Sequence, residues 1–341
     1  VTFWLVALVI WMAAGARVGR VLVKPATTAR TAIVVAVAAV ATAATVAIPE
    51  VGLAVDHLYG KGIGGVMVAD RVVTSAWVLF GTATSVVAAA AWPIVSRRNL
   101  GQIARLIYGT GLTAILVTMA WSLIFGWVMV AFSCVFIAIT GARHLDWTAL
   151  GRGIALYTTG TVVVAGLAVA SIRQILVGEE QARPADPGWF WPVWQVAALL
   201  IALGAVWIVI ELWVRARLLL RRIRGLHKTM LERFPEVMAH ESGGTATQLK
   251  ASDQIAQIMD ALYLQSGGGV ELAAAGVPPE SVPERANRVA RWAHNPLGEL
   301  VIDARWISPP EGVSPRGWVQ AIAREFEVCR ASEPARAAAG R

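Results

Sequence analysis

Residues 106–142 contain 37 consecutive positions without one charged side chain. As a single helix this stretch would measure roughly 55 Å, against a hydrocarbon core of roughly 30 Å. Two helices of about 17 residues each are short, but they fit a bilayer. Which of the two applies decides on which side of a membrane the last third of the chain lies, so the flanking charges have to be read with it.

Five more apolar blocks, near the length a membrane helix needs, occupy residues 1–15, 31–48, 70–92, 153–172 and 191–214. Between them the charges are uneven. The first loop holds Arg17, Arg20, Lys24 and Arg30 without an acid, and the third holds Arg97, Arg98 and Arg105. The second has Glu50, Asp56 and Lys61, while residues 173–190 mix Arg173 and Arg183 with Glu179, Glu180 and Asp186. If the long stretch is two helices, the basic loops all fall on one side and the balanced ones on the other. If it is one helix, the loop with Arg143 and Arg152 and the dense cluster after Val214 both move to the wrong side. The positive-inside bias therefore selects two helices, with a hairpin turn near residues 122–126. Gly126 suits a tight turn, and Trp121 and Trp127 suit the headgroup level. Trp189, Trp191, Trp194 and Trp213 likewise read as interfacial anchors at the two ends of the last block.

The expected fold is all-α: a seven-helix transmembrane bundle over residues 1–214, with its N-terminus outside and its C-terminus in the cytoplasm. The spans lie near 1–15, 31–48, 70–92, 106–122, 126–142, 153–172 and 191–214. The arginines follow the first apolar block rather than precede it, the reverse of a secretory signal, so that block reads as a retained helix. The expected location is the cell membrane. The composition agrees, with 57% hydrophobic and only 15% charged residues. The net charge of +8 sits mainly in short loops, which argues for a membrane surface and against nucleic acid.

Residues 215–331 are expected to form a small, mainly helical cytosolic domain, and 332–341 a disordered tail. The last span should continue as a basic helix to about Pro235, presenting Arg215, Arg217, Arg221, Arg222, Arg224 and Lys228 to anionic lipid at the inner face. The segment "AHESGGTATQ" reads as a flexible loop. A helix with Ile255, Ile258, Met259 and Leu262 on one face should end at the glycines 267–269. Ser281 and Glu284 have capping-box spacing, and Ser314 with Pro315 should open a helix carrying Trp318, Ile322 and Phe326. "GELVIDARW" fits either a short strand or a helical turn.

Three segments of this tail, "MLERFPEV", "DALYLQSGGGVEL" and "GWVQAIAREFE", resemble segments of a family of actinobacterial seven-helix membrane proteins. That family is grouped as transporters, or as integral membrane proteins with a C-terminal domain of unknown function. The resemblance implies the same layout of seven helices and a helical tail. Its relatives have a longer outer loop between helices four and five. It carries no functional residues over to this chain.

Chemistry is sparse. No phosphate-binding loop, zinc-protease or serine-hydrolase motif occurs, and "YGKGIGG" at 59–65 has its glycines and lysine in the wrong order. The five histidines are scattered, and Cys134 and Cys329 suggest neither a disulfide nor a zinc site. No cofactor and no enzymatic reaction is expected. The candidate functional residues are charges near the membrane: Asp70, Arg71, Arg173 and Glu211. Glu211 stands one turn before Arg215 and is either an ion pair with it or a proton- or cation-coupled carboxylate. The expected function is that of a membrane-anchored regulatory or scaffold protein whose tail binds a cytosolic partner. The alternative is a transporter for a small uncharged or apolar solute.

Overall fold

The computed structural model describes residues 2–23, 27–59, 66–93, 95–96, 98–178, 188–240 and 247–339. Lys24, Lys61, Arg97, Glu179, Glu180, Arg183, Asp186, the glycine segment 60–64 and most of the "AHESGGTATQ" loop lie outside these residues. The chain divides into two compact units, Val1–Val209 and Ile210–Arg341. The sequence reading places that division after Val214.

The first unit holds α1 (Thr2–Val23), α2 (Thr28–Val46), α3 (Pro49–Tyr59), α4 (Val68–Ala90), α5 (Leu100–Ala120), α6 (Leu123–Ala142), α7 (Ala149–Val177) and the start of α8 (Phe190–Arg233). Among the described residues, seven helices are long and apolar enough to cross a membrane: all of these except α3. The uncharged stretch is therefore two helices. Their break is at Trp121–Ser122, where the Ser122 hydroxyl accepts the Ile124 N–H at 3.3 Å and opens α6.

Gly126 is not in that turn. It lies inside α6, where a Cβ would come within 2.5 Å of Thr74 Cγ2 on α4 and 2.7 Å of Thr118 Oγ1 on α5. Its missing side chain permits close packing rather than chain reversal. The same device joins α7 to α8, where a Cβ on Gly204 would stand 2.8 Å from the Gly153 carbonyl oxygen. In lipid, where apolar burial gives helices little reason to associate, small residues let backbones approach. The helix at the centre is α4, which packs on α2, α5 and α6 and has 78% of its apolar window buried.

Two further expectations about this unit change. The loop 49–69 contains a helix, α3, whose Asp56 carboxylate accepts the Ala69 N–H at 2.8 Å at the start of α4. Trp194 and Trp127 are not interfacial anchors: with Trp77 they are buried, and their rings cluster at 4.8–5.5 Å. Trp189 is exposed, and so is Trp213 in the second unit.

The second unit is built on the continuation of α8. Leu219, Ile223, Leu226 and Met230 recur at helical spacing and are fully buried. Around them pack α9 (Thr247–Gln265), α10 (Val282–His294), α11 (Ala304–Ile307) and α12 (Pro315–Ala339). Glycines 267–269 all adopt positive φ and end α9. Ser314 caps α12 by accepting the Gly317 N–H at 3.1 Å. The capping box of α10 does not form: Ser281 makes no side-chain cap, and Glu284 pairs with Arg288 at 2.7 Å instead. In the segment 298–306 no strand forms: residues 298–303 are irregular, and Ala304 opens the helical turn α11. Residues 332–339, expected as a disordered tail, lie in α12, whose last residues are rich in alanine, the strongest helix former.

Three buried polar side chains organise this second core. Arg285 donates to the carbonyls of Trp306 (3.1 Å), Arg305 and Ser308, closing the end of α11, and lies 5.4 Å from the Trp318 ring. Asp303 is fully buried and caps α11 through the Arg305 N–H at 3.0 Å. Burial alone would push its pKa up. The Arg305 guanidinium at 2.7 Å and the Leu272 N–H at 3.3 Å outweigh that and hold it below the usual carboxylate value. Trp318 is fully buried and donates its indole N–H to the Ile307 carbonyl at 2.7 Å.

Candidate functional site

The structure does not gather the charged candidates into one site. Arg71 is 1% exposed, so its guanidinium is buried rather than directed at headgroups. It donates to the carbonyls of Thr118 (2.8 Å) and Met119, in the last turn of α5. Those carbonyls have no partner within their own helix, and the helix dipole places negative charge there. Arg71 therefore holds the break between the two halves of the uncharged stretch. Asp70, half-buried, also accepts the Thr74 hydroxyl at its backbone carbonyl, 2.8 Å away. Arg173 is exposed on α7. Glu211 forms an i,i+4 ion pair with Arg215, and its side chain is 11% exposed against 54% for the arginine. The six basic residues from Arg215 to Lys228 are all exposed.

A crevice of about 260 Å³ in the first unit is the better candidate for binding. A single water needs only roughly 10–15 Å³ of comparable space, so this crevice has room for a small organic molecule. It is lined by α1, α2, α4, α6, α7 and α8, mostly with aliphatic side chains such as Ile33, Val87, Ile137, Ile154 and Ile208. Polar groups stand at defined points in this wall. Tyr157 Oη and Thr84 Oγ1 share a hydrogen bond of 2.7 Å. Thr140 takes the Trp92 indole N–H at 3.0 Å and passes its own hydroxyl to the Phe136 carbonyl at 2.9 Å. Arg17 and His144 are the lining side chains able to carry positive charge.

The wall is thus mostly apolar, with a few hydroxyls whose own hydrogen-bonding needs are largely met inside the protein and the two basic side chains Arg17 and His144. That arrangement suits a small neutral molecule, and among the described residues no carboxylate lines it to meet a cation. Among the described residues no group of histidine, cysteine and carboxylate side chains is arranged to hold a metal. The sequence reading did not single out Thr84, Tyr157 or Thr140. The signal was available: hydroxyl side chains in the middle of apolar spans require partners, and partners in lipid come from neighbouring helices.

Seven apolar helices of bilayer length, joined to a smaller helical unit, define a multi-pass membrane protein. Comparison with protein-family models, with curated proteins and with solved structures gives no match.

Proposed function

We propose that this chain is a membrane-anchored regulatory or scaffold protein, with its N-terminus outside and its C-terminal unit in the cytoplasm. The observation that carries the reading is the C-terminal unit itself. It has its own core, with Trp292, Trp306 and Trp318 all buried, assembled on the helix that continues from the seventh span. A chain that needed only an anchor would not require a second folded unit on that helix. The charge asymmetry of the loops supports the orientation. The test is affinity capture from native membranes, comparing the whole chain with one ending at Val214. Ending at Lys228 would strip the cover from Leu219, Ile223 and Leu226, and their exposure would capture proteins nonspecifically. A soluble partner retained only by the whole chain supports the reading. Identical backgrounds count against it.

The crevice favours a second reading, a transporter or permease for a small uncharged solute, and the family resemblance points the same way. Its test is uptake of neutral solutes into proteoliposomes. Thr84→Val and Tyr157→Phe should change the uptake if the crevice lies on the path. Flux indifferent to both substitutions would remove the crevice from any route.

A further inference from the structure

In the second unit, α8 and α12 line a cleft of about 720 Å³. From α8 come Arg221, Arg222, Arg224 and Lys228, and from α12 come Arg324 and Arg330. All six are exposed, and one lining side chain, Glu327, is acidic. The two helices cross closely here. Glu327 lies against Gly225, where any side chain would collide with its carboxylate, and it holds Arg330 at 3.8 Å. Lys228 has Glu232 at 3.7 Å. These two carboxylates leave the cleft strongly positive.

We propose that this cleft binds an anion bearing several clustered phosphates. Five of the six cations are arginines, whose planar guanidinium pairs with two phosphate oxygens at once, where a lysine offers a point charge. The cations converge from two helices onto one volume, so a single phosphate would engage only part of them. The run of basic residues after the seventh span is sufficient for diffuse attraction to an anionic surface. The α12 arginines turn part of that run into a concave site, while Arg215 and Arg217 stand outside it. Two sources share the required chemistry: a phosphorylated lipid headgroup and a soluble polyphosphate.

The experiment uses the whole chain in phosphatidylcholine nanodiscs. Inorganic tripolyphosphate and a short-chain, water-soluble phosphatidylinositol bisphosphate are each titrated by calorimetry. The double variant Arg324→Ala/Arg330→Ala should weaken binding at least tenfold. Arg222→Ala/Arg224→Ala, on the opposite wall, should do the same, which guards against a folding defect in either helix. Arg215→Ala/Arg217→Ala, outside the cleft, should change affinity less than twofold. Tripolyphosphate binding as tightly as the lipid assigns a soluble ligand, and binding confined to the lipid assigns a headgroup. No binding of either probe, or equal weakening by all three double variants, overturns the proposal.

Discussion

Replacing Trp318 with alanine should unfold the second unit while leaving the membrane bundle intact. The indole is fully buried and donates its N–H to the Ile307 carbonyl at 2.7 Å. Removing a buried tryptophan costs about 3–5 kcal/mol through lost burial and the cavity left behind. Stranding the Ile307 carbonyl adds about 1–3 kcal/mol, since a buried acceptor without a donor bears its full desolvation penalty. The sum, about 4–8 kcal/mol, is comparable to the entire stability of a typical domain, about 5–15 kcal/mol. Trp318→Phe separates the two contributions. It keeps most of the ring and loses the N–H, so it should cost about 1–3 kcal/mol and leave the unit folded. The assay is limited proteolysis of the whole chain in nanodiscs over a temperature series. The readout is loss of the 210–341 fragment against persistence of the bundle. Alanine should open the unit at every temperature tested, and phenylalanine only on warming. An alanine variant as protease-resistant as wild type would refute the claim that this core is held around Trp318. Phenylalanine as damaging as alanine would show that the N–H bond, not packing, dominates.

Three other substitutions test separate parts of the structure. Arg71→Met should lower bundle stability by about 2–4 kcal/mol, because two α5 carbonyls lose charge-assisted donors, and Arg71→Lys should recover part of it; thermal unfolding followed by tryptophan fluorescence reads both. Asp303 has a folded-state pKa below its unfolded value, so its contribution is present at neutral pH and is lost as pH falls below about 4. Asp303→Asn should therefore destabilise the second unit at pH 7 and flatten the acid limb of its stability curve, measured by the same proteolysis from pH 7 to pH 3. Glu211→Gln should alter stability by less than about 1 kcal/mol, as expected of an i,i+4 pair whose arginine is half exposed. Any solute flux should keep its pH dependence, and a flux made pH-independent by this change would restore the ion-coupled role for Glu211.

The seven helices were legible because lipid imposes a length and forbids charge over it, and both constraints are written in the linear sequence. The break in the uncharged stretch was legible from the asymmetry of distant loops, although its cause was not. Gly126 reads as the turn because glycine permits turns, but its role depends on Thr74 and Thr118, which stand on two other helices. Trp127 and Trp194 read as anchors because tryptophan prefers interfaces, yet both are buried, Trp194 against Trp77 and Trp127 against Trp194. Composition sets a side chain's preference, and only the packing shows whether a neighbour satisfies it first. Arg71 makes the same point for charge. An arginine at the start of an apolar helix reads as a functional charge near the membrane, and its partners are backbone carbonyls at the end of a different helix. The crevice and the basic cleft lay further from view for a common reason. Each is assembled from helices remote in sequence, so no local pattern of spacing encodes either one. What the sequence did carry was a list of residues that must find partners in lipid or repel one another: mid-span hydroxyls in one unit and clustered arginines in the other. Such residues need a neighbour or a ligand, and in this protein they line the crevice of the first unit and the cleft of the second.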